Sequence, residues 1–278
     1  MSDKEVDEII KDKSLKEEVE DHDDMLVKQL CEGLDTYRKN RIATFLSSFM
    51  AGLEIGFSFL VVVIVYSFFN GKIDKSHIPY LAAFVYPLGF ILVVLGKSIL
   101  FTEQTSLLSI PVISGRKTVS DLFSLWGIVI IGNLIGGYLI GAFIVWIGPE
   151  LGVITQQGII NLADHVNHFS REVIFASSVL AGWLMALLSW IITSTHKTTG
   201  KIAVIYIITF IISLAGLHHS IVGNIEVFAG FLVSDKITFI DYLTFQSTSL
   251  LGNAFGGVFF VAILKYGAFL ANNSKSSS

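Results

Sequence analysis

Residues 95–105 read LGKSILFTEQT and lie between two apolar stretches, IPYLAAFVYPLGFILVV (78–94) and SLLSIPVI (106–113). Lys97 and Glu103 therefore interrupt a run that is long enough to cross a bilayer. A charged side chain at the bilayer centre costs roughly 2.5–3.5 kcal/mol on insertion scales, so neither charge is expected to face lipid. The stretch predicts a membrane helix that is broken near its middle, where charges and backbone polar groups line a pore.

The rest of the chain has the composition of a membrane protein. Of its 278 residues, 53% are hydrophobic, and the mean hydropathy is +0.69. About 20 apolar residues span a bilayer as a helix, and backbone groups in lipid must be satisfied internally. The apolar runs do not alternate as barrel strands do. The sequence predicts an all-α integral membrane protein with six transmembrane helices at residues 43–69, 79–110, 119–147, 172–194, 202–233 and 239–271.

Charge separates the N-terminal segment from the membrane body. Residues 1–40 carry 13 of the 23 acidic and 7 of the 19 basic residues. They form a predicted cytoplasmic tail, disordered or loosely helical over 1–23. Leucines at three- and four-residue steps in DMLVKQLCEGLDTYR (24–38) predict either an amphipathic helix on the cytoplasmic face or a helical extension of the first span. The predicted channel domain is 41–271, and 272–278 form a short cytoplasmic tail.

Lysine and arginine residues predict the orientation. An even number of spans puts both termini on one side. Nine basic residues fall on that side and four on the other, so the positive-inside rule places both termini in the cytoplasm. The expected location of the chain is the plasma membrane. The nine are Arg38, Lys39, Arg41, Arg116, Lys117, Lys197, Lys201, Lys265 and Lys275, and the four are Lys72, Lys75, Arg171 and Lys236.

An internal repeat divides the body into halves. Span 3 contains GNLIGGYLIGAF (132–143) and span 6 contains GNAFGGVFFVAI (252–263). Three spans per half is an odd number, so the second half enters the membrane inverted, as in transporter folds whose sites lie on discontinuous helices at the repeat interface. Span 5 should therefore break where span 2 does. It carries LAGLHHSIVGNIE (214–226), with glycine, histidine and glutamate at the matching place.

In this order, several short motifs resemble the formate–nitrite transporter family of pentameric, aquaporin-like anion channels, over about residues 25–270. The motifs are Leu100-Phe101-Thr102, Ser114-Gly115-Arg116, Trp126, Gly132-Asn133-Leu134 with Gly136, Thr199 to Ala203, and His219-Ser220-Ile221. The resemblance implies a homopentamer in which each protomer has its own pore. It implies a central Thr102 and His219 between apolar constrictions at Tyr86, Phe90, Leu100 and Ile212. The solutes would be small monovalent weak-acid anions that are attracted inward and protonated, or nearly so, before they cross the apolar rings.

Several positions depart from the family pattern and make this chain a divergent branch. Ile99 and His218 stand where acidic residues are usual, Lys97 replaces a small residue, and Glu103 and Gln104 follow the Leu-Phe-Thr motif. Phe90 and Lys97 are seven residues apart, as are Ile212, His219 and Glu226, so each set would share a helix face. Lys97 either pairs with Glu226 or Glu103 and closes the pore, or attracts an anion and hands it a proton.

Other polar residues are predicted to support the broken helices. Asn133 and Asn253 are expected to form hydrogen bonds with the broken loops, with His218 and Asn224 as further polar supports. Glu54 is expected to contact either the broken helices or a neighbouring protomer. Thr102 serves as a pore donor or caps the second half-helix, and Glu103 suits the first turn of that helix. His165 and His168 are placed in a solvated outer loop, ADHVNHF. Cys31 is alone, and no metal site, cofactor, enzyme motif or nucleic-acid surface is indicated.

Three functions therefore stay open. The first is a passive or proton-coupled channel for small monovalent anions. The second is the same fold passing a neutral molecule or a cation such as ammonium, with Glu103, Glu226 and Glu54 offsetting Lys97. The third is a non-transporting membrane protein, closed by a lysine–glutamate pair and binding a partner through its acidic tail.

Overall fold

A computed structural model describes residues 22–274, with side-chain surroundings for residues 23–271. The predicted loose structure of residues 1–23 lies outside this range except for residues 22 and 23, which are helical, and the C-terminal residues 275–278 also lie outside it. The described chain is helical and contains no strand. Its helices are α1 (His22–Arg38), α2 (Arg41–Phe69), α3 (Ile78–Ala83), α4 (Pro87–Leu95), α5 (Phe101–Ile113), α6 (Val119–Glu150), α7 (Gln156–Asn167), α8 (Arg171–Ser194), α9 (Thr198–Leu214), α10 (Ser220–Val233), α11 (Phe239–Gly257), a π-helix (Val258–Ile263) and α12 (Leu264–Ser274).

Five stretches of the described chain are long and apolar enough to cross a membrane. They are Arg41–Phe69, Lys75–Leu95, Val119–Glu150, Arg171–Ser194 and Phe239–Ala271. Between the fourth and fifth lie two shorter apolar helices, α9 and α10, which are separated by residues 215–219. Residues 96–100 separate α4 from α5 in the same way. The helix breaks therefore fall inside the two polar stretches that the sequence singled out.

The two breaks share one backbone geometry. Ser98 N–H donates to Val93 O (3.1 Å), and Leu217 N–H donates to Ile212 O (2.9 Å). These six-to-one bonds close each helix end in a Schellman-type turn, which requires a left-handed residue. Gly216 takes that position in the second break, with φ of 62°. Lys97 takes it in the first break, with φ of 57°, and is the one non-glycine residue of the described chain with a positive φ.

The helix breaks alter the relative positions of residues that are seven apart in the sequence. Because α4 ends at Leu95, Lys97 lies beyond the helix that carries Phe90. Because α9 ends at Leu214, His219 likewise lies beyond the helix of Ile212. The prediction that each pair shares a helix face is therefore wrong, since helical periodicity does not continue through a left-handed residue.

The repeated G-N-x-x-G-G motifs lie where long helices cross. A Cβ built on Gly136 of α6 would collide with the backbone of α2 at Phe49, and one built on Gly256 of α11 would collide with α8 at Val179. Only glycine allows these helix axes to approach so closely. The α2–α6 and α8–α11 pairs therefore frame the broken helices in each half of the chain.

Two shorter helices border this frame. α1 is separate from α2, because Asn40 caps a new helix by accepting from Ile42 N–H (2.8 Å). Its Leu26 and Leu30 are buried against Ile110 and Trp190. α7 occupies the region predicted as an outer loop, and that prediction is wrong. Its inner face, which includes Ile159 and Leu162, is buried, whereas its outer face is polar.

Candidate functional site

Thr102 and His219 meet where the two broken spans approach each other. Thr102 lies in the first turn of α5, and His219 immediately precedes α10. Their side chains are 0% and 2% exposed, and Thr102 Oγ1 lies 2.7 Å from His219 Nε2. The positive ends of both helix dipoles therefore border one buried polar pair, an arrangement that favours negative charge.

The hydrogen bonds around His219 assign its proton. Val222 N–H donates to His219 Nδ1 (3.2 Å), so Nδ1 acts as an acceptor. A neutral imidazole that accepts at one nitrogen carries its proton on the other. His219 Nε2–H therefore donates to Thr102 Oγ1, and the hydroxyl proton of Thr102 remains free to bond a solute. Because His219 caps α10 through Nδ1, its Nε2–H donates to Thr102, and Thr102 can donate its own proton to a different partner.

Two asparagines hold the breaks in matching ways. Asn133 accepts from Phe101 N–H (2.8 Å) and donates to Ser48 O (2.7 Å) and Ile99 O (2.9 Å). Asn253 accepts from Ser220 N–H (2.8 Å) and donates to Ser178 O (2.7 Å) and His218 O (3.0 Å). Each buried amide ties the start of a half-helix and the loop before it to a long neighbouring helix.

An aromatic side chain packs against the Thr102–His219 pair. The ring of Phe90 packs edge-on against His219 with centroids 5.0 Å apart, and Tyr86 lies 5.3 Å from Phe90. Leu100 and Ile212 are fully buried in the same apolar cluster. The four residues expected as constrictions are therefore buried together, and two of them are in ring contact with the pair or with each other.

A cavity opens from His219 toward α7. His219, Tyr86, Tyr66 and Phe169 line it, and so does Glu226, which is only 6% exposed. We refer to this cavity as the outer vestibule, because the predicted orientation of the chain places the α7 region on the outer side. Lys97 is not part of it. Two predicted pore residues, His219 and Glu226, thus share one cavity, while the predicted lysine lies elsewhere.

Lys97 is exposed in the loop between α4 and α5, on the side of α1. Burial raises the pKa of Glu32 on α1, although much of that residue's surface is exposed. A hydrogen bond from Thr193 and the positive charges of Lys201, Lys28 and Lys97 act in the opposite direction. Within residues 22–274, no carboxylate lies within 4.0 Å of the Lys97 ammonium. The described chain therefore does not contain the predicted Lys97–Glu226 or Lys97–Glu103 ion pair.

The remaining predicted residues have structural surroundings. Leu100 takes the N-cap position of α5, so Thr102 is not its cap, and Glu103 lies in the first turn. His218 is held at both ring nitrogens, because Ser177 Oγ lies against Nδ1 and Nε2 lies 2.9 Å from Val166 O.

Two more of the predicted supports contact neighbouring helices. Asn224 accepts from Tyr242. Glu54 lies beside Gly96 at the break, with one buried carboxylate oxygen that has no hydrogen-bond partner.

Sequence reasoning missed three contributors to the site. Tyr66 lines the outer vestibule, α7 supplies His165 to the same cavity, and His219 acts as a helix cap. The N-cap role could have been predicted, because His219 lies three residues before Val222, whose backbone N–H donates a hydrogen bond to the His219 ring. Tyr66 and α7 carried no local signal, since only their tertiary packing brings them to the cavity.

A buried polar pair between two half-helices, within a bundle of apolar helices, is an arrangement typical of membrane channels and transporters. The sequence profile of the family Formate/nitrite transporter matches residues 23–267. The chain belongs to this family.

Curated relatives match over most of their length. The inner membrane protein YfdC of Escherichia coli K12 is 28% identical over 243 residues, covering 84% of this chain and 74% of YfdC. The nitrite transporter NirC of Salmonella typhimurium is 26% identical over 191 residues, 68% of each chain. The formate channel FocA of Haemophilus influenzae is 25% identical over 210 residues, covering 73% of this chain and 72% of FocA.

Solved structures have the same fold. One described as an "FNT family ion channel" superposes with a TM-score of 0.78 at 24% identity, covering 88% of this chain and 98% of that one. Another, described as a "Pentameric formate channel with formate bound", superposes with a TM-score of 0.71 at 22% identity, covering 83% and 98%. The expected channel fold is therefore confirmed.

Proposed function

We propose that this protein conducts small monovalent weak-acid anions, of the formate and nitrite class, through a pore within each protomer. The observation that carries the proposal is the Thr102–His219 pair between two helix N-termini. An anion there accepts a hydrogen bond from Thr102, whose own oxygen is already bonded by His219. The helix dipoles stabilise its charge where water is excluded.

The apolar surroundings require a second step. Phe90, Leu100 and Ile212 are fully buried and offer no hydrogen bond to a solute. A small anion pays its desolvation energy there unless it is neutralised. The solute therefore crosses as the weak acid, protonated close to the central pair. Lys97, exposed on the α1 side with no ion-pair partner in the described chain, raises the local anion concentration at the pore mouth.

The proposal also covers the membrane topology and the oligomeric state. In this proposal the chain crosses the membrane six times as two inverted three-helix repeats, with the second and fifth crossings broken and both termini in the cytoplasm. The matching asparagine clamps support the repeat. Five protomers assemble, because the structurally similar formate channel is pentameric. No enzymatic step is involved, since NirC is described as a nitrite transporter and FocA as a formate channel.

A second solute class has one observation in its favour. Glu226 places a carboxyl group in the outer vestibule, where a cation such as ammonium would be attracted. Lys97 opposes cation uptake from the other side. We prefer the anion proposal because the Thr102–His219 pair offers a hydrogen-bond donor to a solute. A donor binds an anion, whereas a cation would need a set of acceptors.

The test uses Thr102→Val, which keeps the shape of the side chain and removes its hydroxyl. We expect formate and nitrite flux into proteoliposomes to fall at least tenfold. Thr44→Val is the matched control, because Thr44 is equally buried but its hydroxyl bonds Asn40 O, away from the pore. Wild-type flux in Thr102→Val would contradict the proposed role of the pair.

A further inference from the structure

Glu226 is a buried carboxyl group that takes no part in the Thr102–His219 pair. It lies on α10, seven residues beyond His219, and is 6% exposed. Within residues 22–274 its carboxyl group has neither an ion-pair nor a hydrogen-bond partner, although it lines the outer vestibule. Burying an ionised carboxylate without a partner costs far more free energy than burying a protonated one.

The groups that face Glu226 do not include a fixed cation. From α2 and from the turn before α4 come the phenols of Tyr66 and Tyr86, and α7 contributes His165. The loop before α10 contributes His218 and His219, whose rings are already hydrogen-bonded as neutral acceptors and donors.

The remaining packed helices add no charge. On α6 and α11, Tyr138 and Tyr242 bond each other, and Tyr242 also donates to Asn224. No lysine or arginine of the described chain lines the outer vestibule. An anion that reaches this cavity therefore meets Glu226 as its one acidic partner.

A second cavity connects this region with the surface. Tyr66, Pro79 and His165 line both cavities, and the second is bordered by Lys75, Asp164 and His168. The surface-facing residues are polar and partly exposed, so water reaches them. This arrangement provides a route along which a proton can travel between outside water and Glu226, past His165.

We propose that Glu226 is the residue that exchanges a proton with the solute on the outer side of the pore. The step rests on the proposed function. A protonated Glu226 gives its proton to an anion that enters the outer vestibule from outside, so the O–H bond of Glu226 breaks and one forms on the solute. The neutral acid then crosses the apolar constrictions, and the Glu226 carboxylate regains a proton from outside water. Release to the outside runs the same steps in reverse.

This assignment predicts electroneutral transport of one anion with one proton. An ionised Glu226 repels an anion and a protonated one neutralises it, so the free anion does not pass on its own. Glu226→Gln keeps the size and hydrogen bonding of the side chain but cannot exchange a proton. Glu226→Asp keeps the titratable group.

The experiment uses full-length protein in liposomes with an internal pH dye and a potassium-clamped membrane potential. In wild type, added formate acidifies the lumen at a rate that does not respond to the potential. In Glu226→Gln we expect acidification to fall at least tenfold, with any remaining flux dependent on the potential, and Glu226→Asp retains coupled transport. Glu172→Gln, an exposed glutamate at the start of α8, is the matched control and behaves as wild type.

Other results would contradict either the assignment of Glu226 or the proposed function, and the experiment distinguishes the two. Wild-type acidification and indifference to potential in Glu226→Gln would overturn the assignment, as would a Glu226→Asp protein that is folded but uncoupled. Ammonium flux that depends on Glu226 would make the residue a cation ligand and overturn it as well. An absence of anion flux in wild type contradicts the proposed function itself, and that result is visible before any variant is compared.

Discussion

At the residue scale, Lys97 combines two unusual properties. Its side chain is an exposed charge at a helix break without an ion-pair partner in the described chain, and its backbone takes the left-handed conformation that Gly216 takes in the other break. The sequence identified the charge, because a lysine between apolar runs is conspicuous. It could not identify the backbone geometry, because the helix end that demands it is defined by the Ser98–Val93 bond.

Two substitutions separate these properties. Lys97→Gly removes the charge and relieves the left-handed strain, worth roughly 1–2 kcal/mol. Lys97→Ala removes the charge and leaves the strain. We expect the melting temperature in detergent to rise for the glycine variant alone, while anion flux changes equally in both. Equal melting temperatures would show that the backbone at position 97 is unstrained, and unchanged flux in both would remove Lys97 from the pore's function.

The asparagine clamps give a second prediction at this scale. Asn133→Ala deletes three hydrogen bonds and leaves buried backbone groups unpaired, which destabilises the fold by roughly 2–4 kcal/mol. Asn133→Asp keeps the acceptor for Phe101 N–H and is the matched comparison. We expect thermal unfolding in detergent to rank wild type above the aspartate variant and the aspartate above the alanine variant. An alanine variant as stable as wild type would mean that the clamp is dispensable.

At the element scale, the sequence predicted the long helices and both breaks, because apolar runs and their polar interruptions are local signals. It did not predict α7, whose twelve residues have one apolar face and a polar composition elsewhere. It left the α1 region open between two interpretations, and the structure has a separate helix that ends at Arg38. Only tertiary packing distinguishes these possibilities, since the same leucine spacing suits both.

The packing of α1 leads to a test by truncation. Deletion of residues 1–23 removes the acidic segment but retains Leu26 and Leu30, which are buried against α5 and α8. We expect this variant to assemble as wild type in size-exclusion chromatography. Deletion of residues 1–38 exposes the apolar surface around Ile110 and Trp190 and is expected to lower the melting temperature. Loss of assembly in the shorter deletion would contradict the view that the acidic segment is dispensable.

At the scale of the whole molecule, the two ionisable residues Lys97 and Glu226 have different surroundings. Lys97 is exposed near α1, whereas Glu226 is buried beside His219 in the outer vestibule. The sequence identified both residues but suggested an ion pair between them as one alternative. It could not separate them, because the seven-residue periodicity on which that reasoning relied ends at each helix break.

The expected assembly is itself testable. Many large apolar side chains on the surface of the isolated chain are exposed, including Phe123, Trp146 and Leu251. Some face lipid and others would be covered by neighbouring protomers. We expect native mass spectrometry of the detergent-solubilised protein to give five times the 30.5 kDa chain mass. A monomer under conditions that preserve related membrane oligomers would contradict the pentamer.

The most direct measurement is solute flux in proteoliposomes, comparing formate and nitrite with ammonium, for wild type and Lys97→Ala. Formate and nitrite flux in wild type that falls in the variant is the predicted result, because the central pair accepts anions and Lys97 attracts them. Ammonium flux without anion flux, or no flux in wild type with flux appearing once Lys97 is removed, would contradict the anion-channel function.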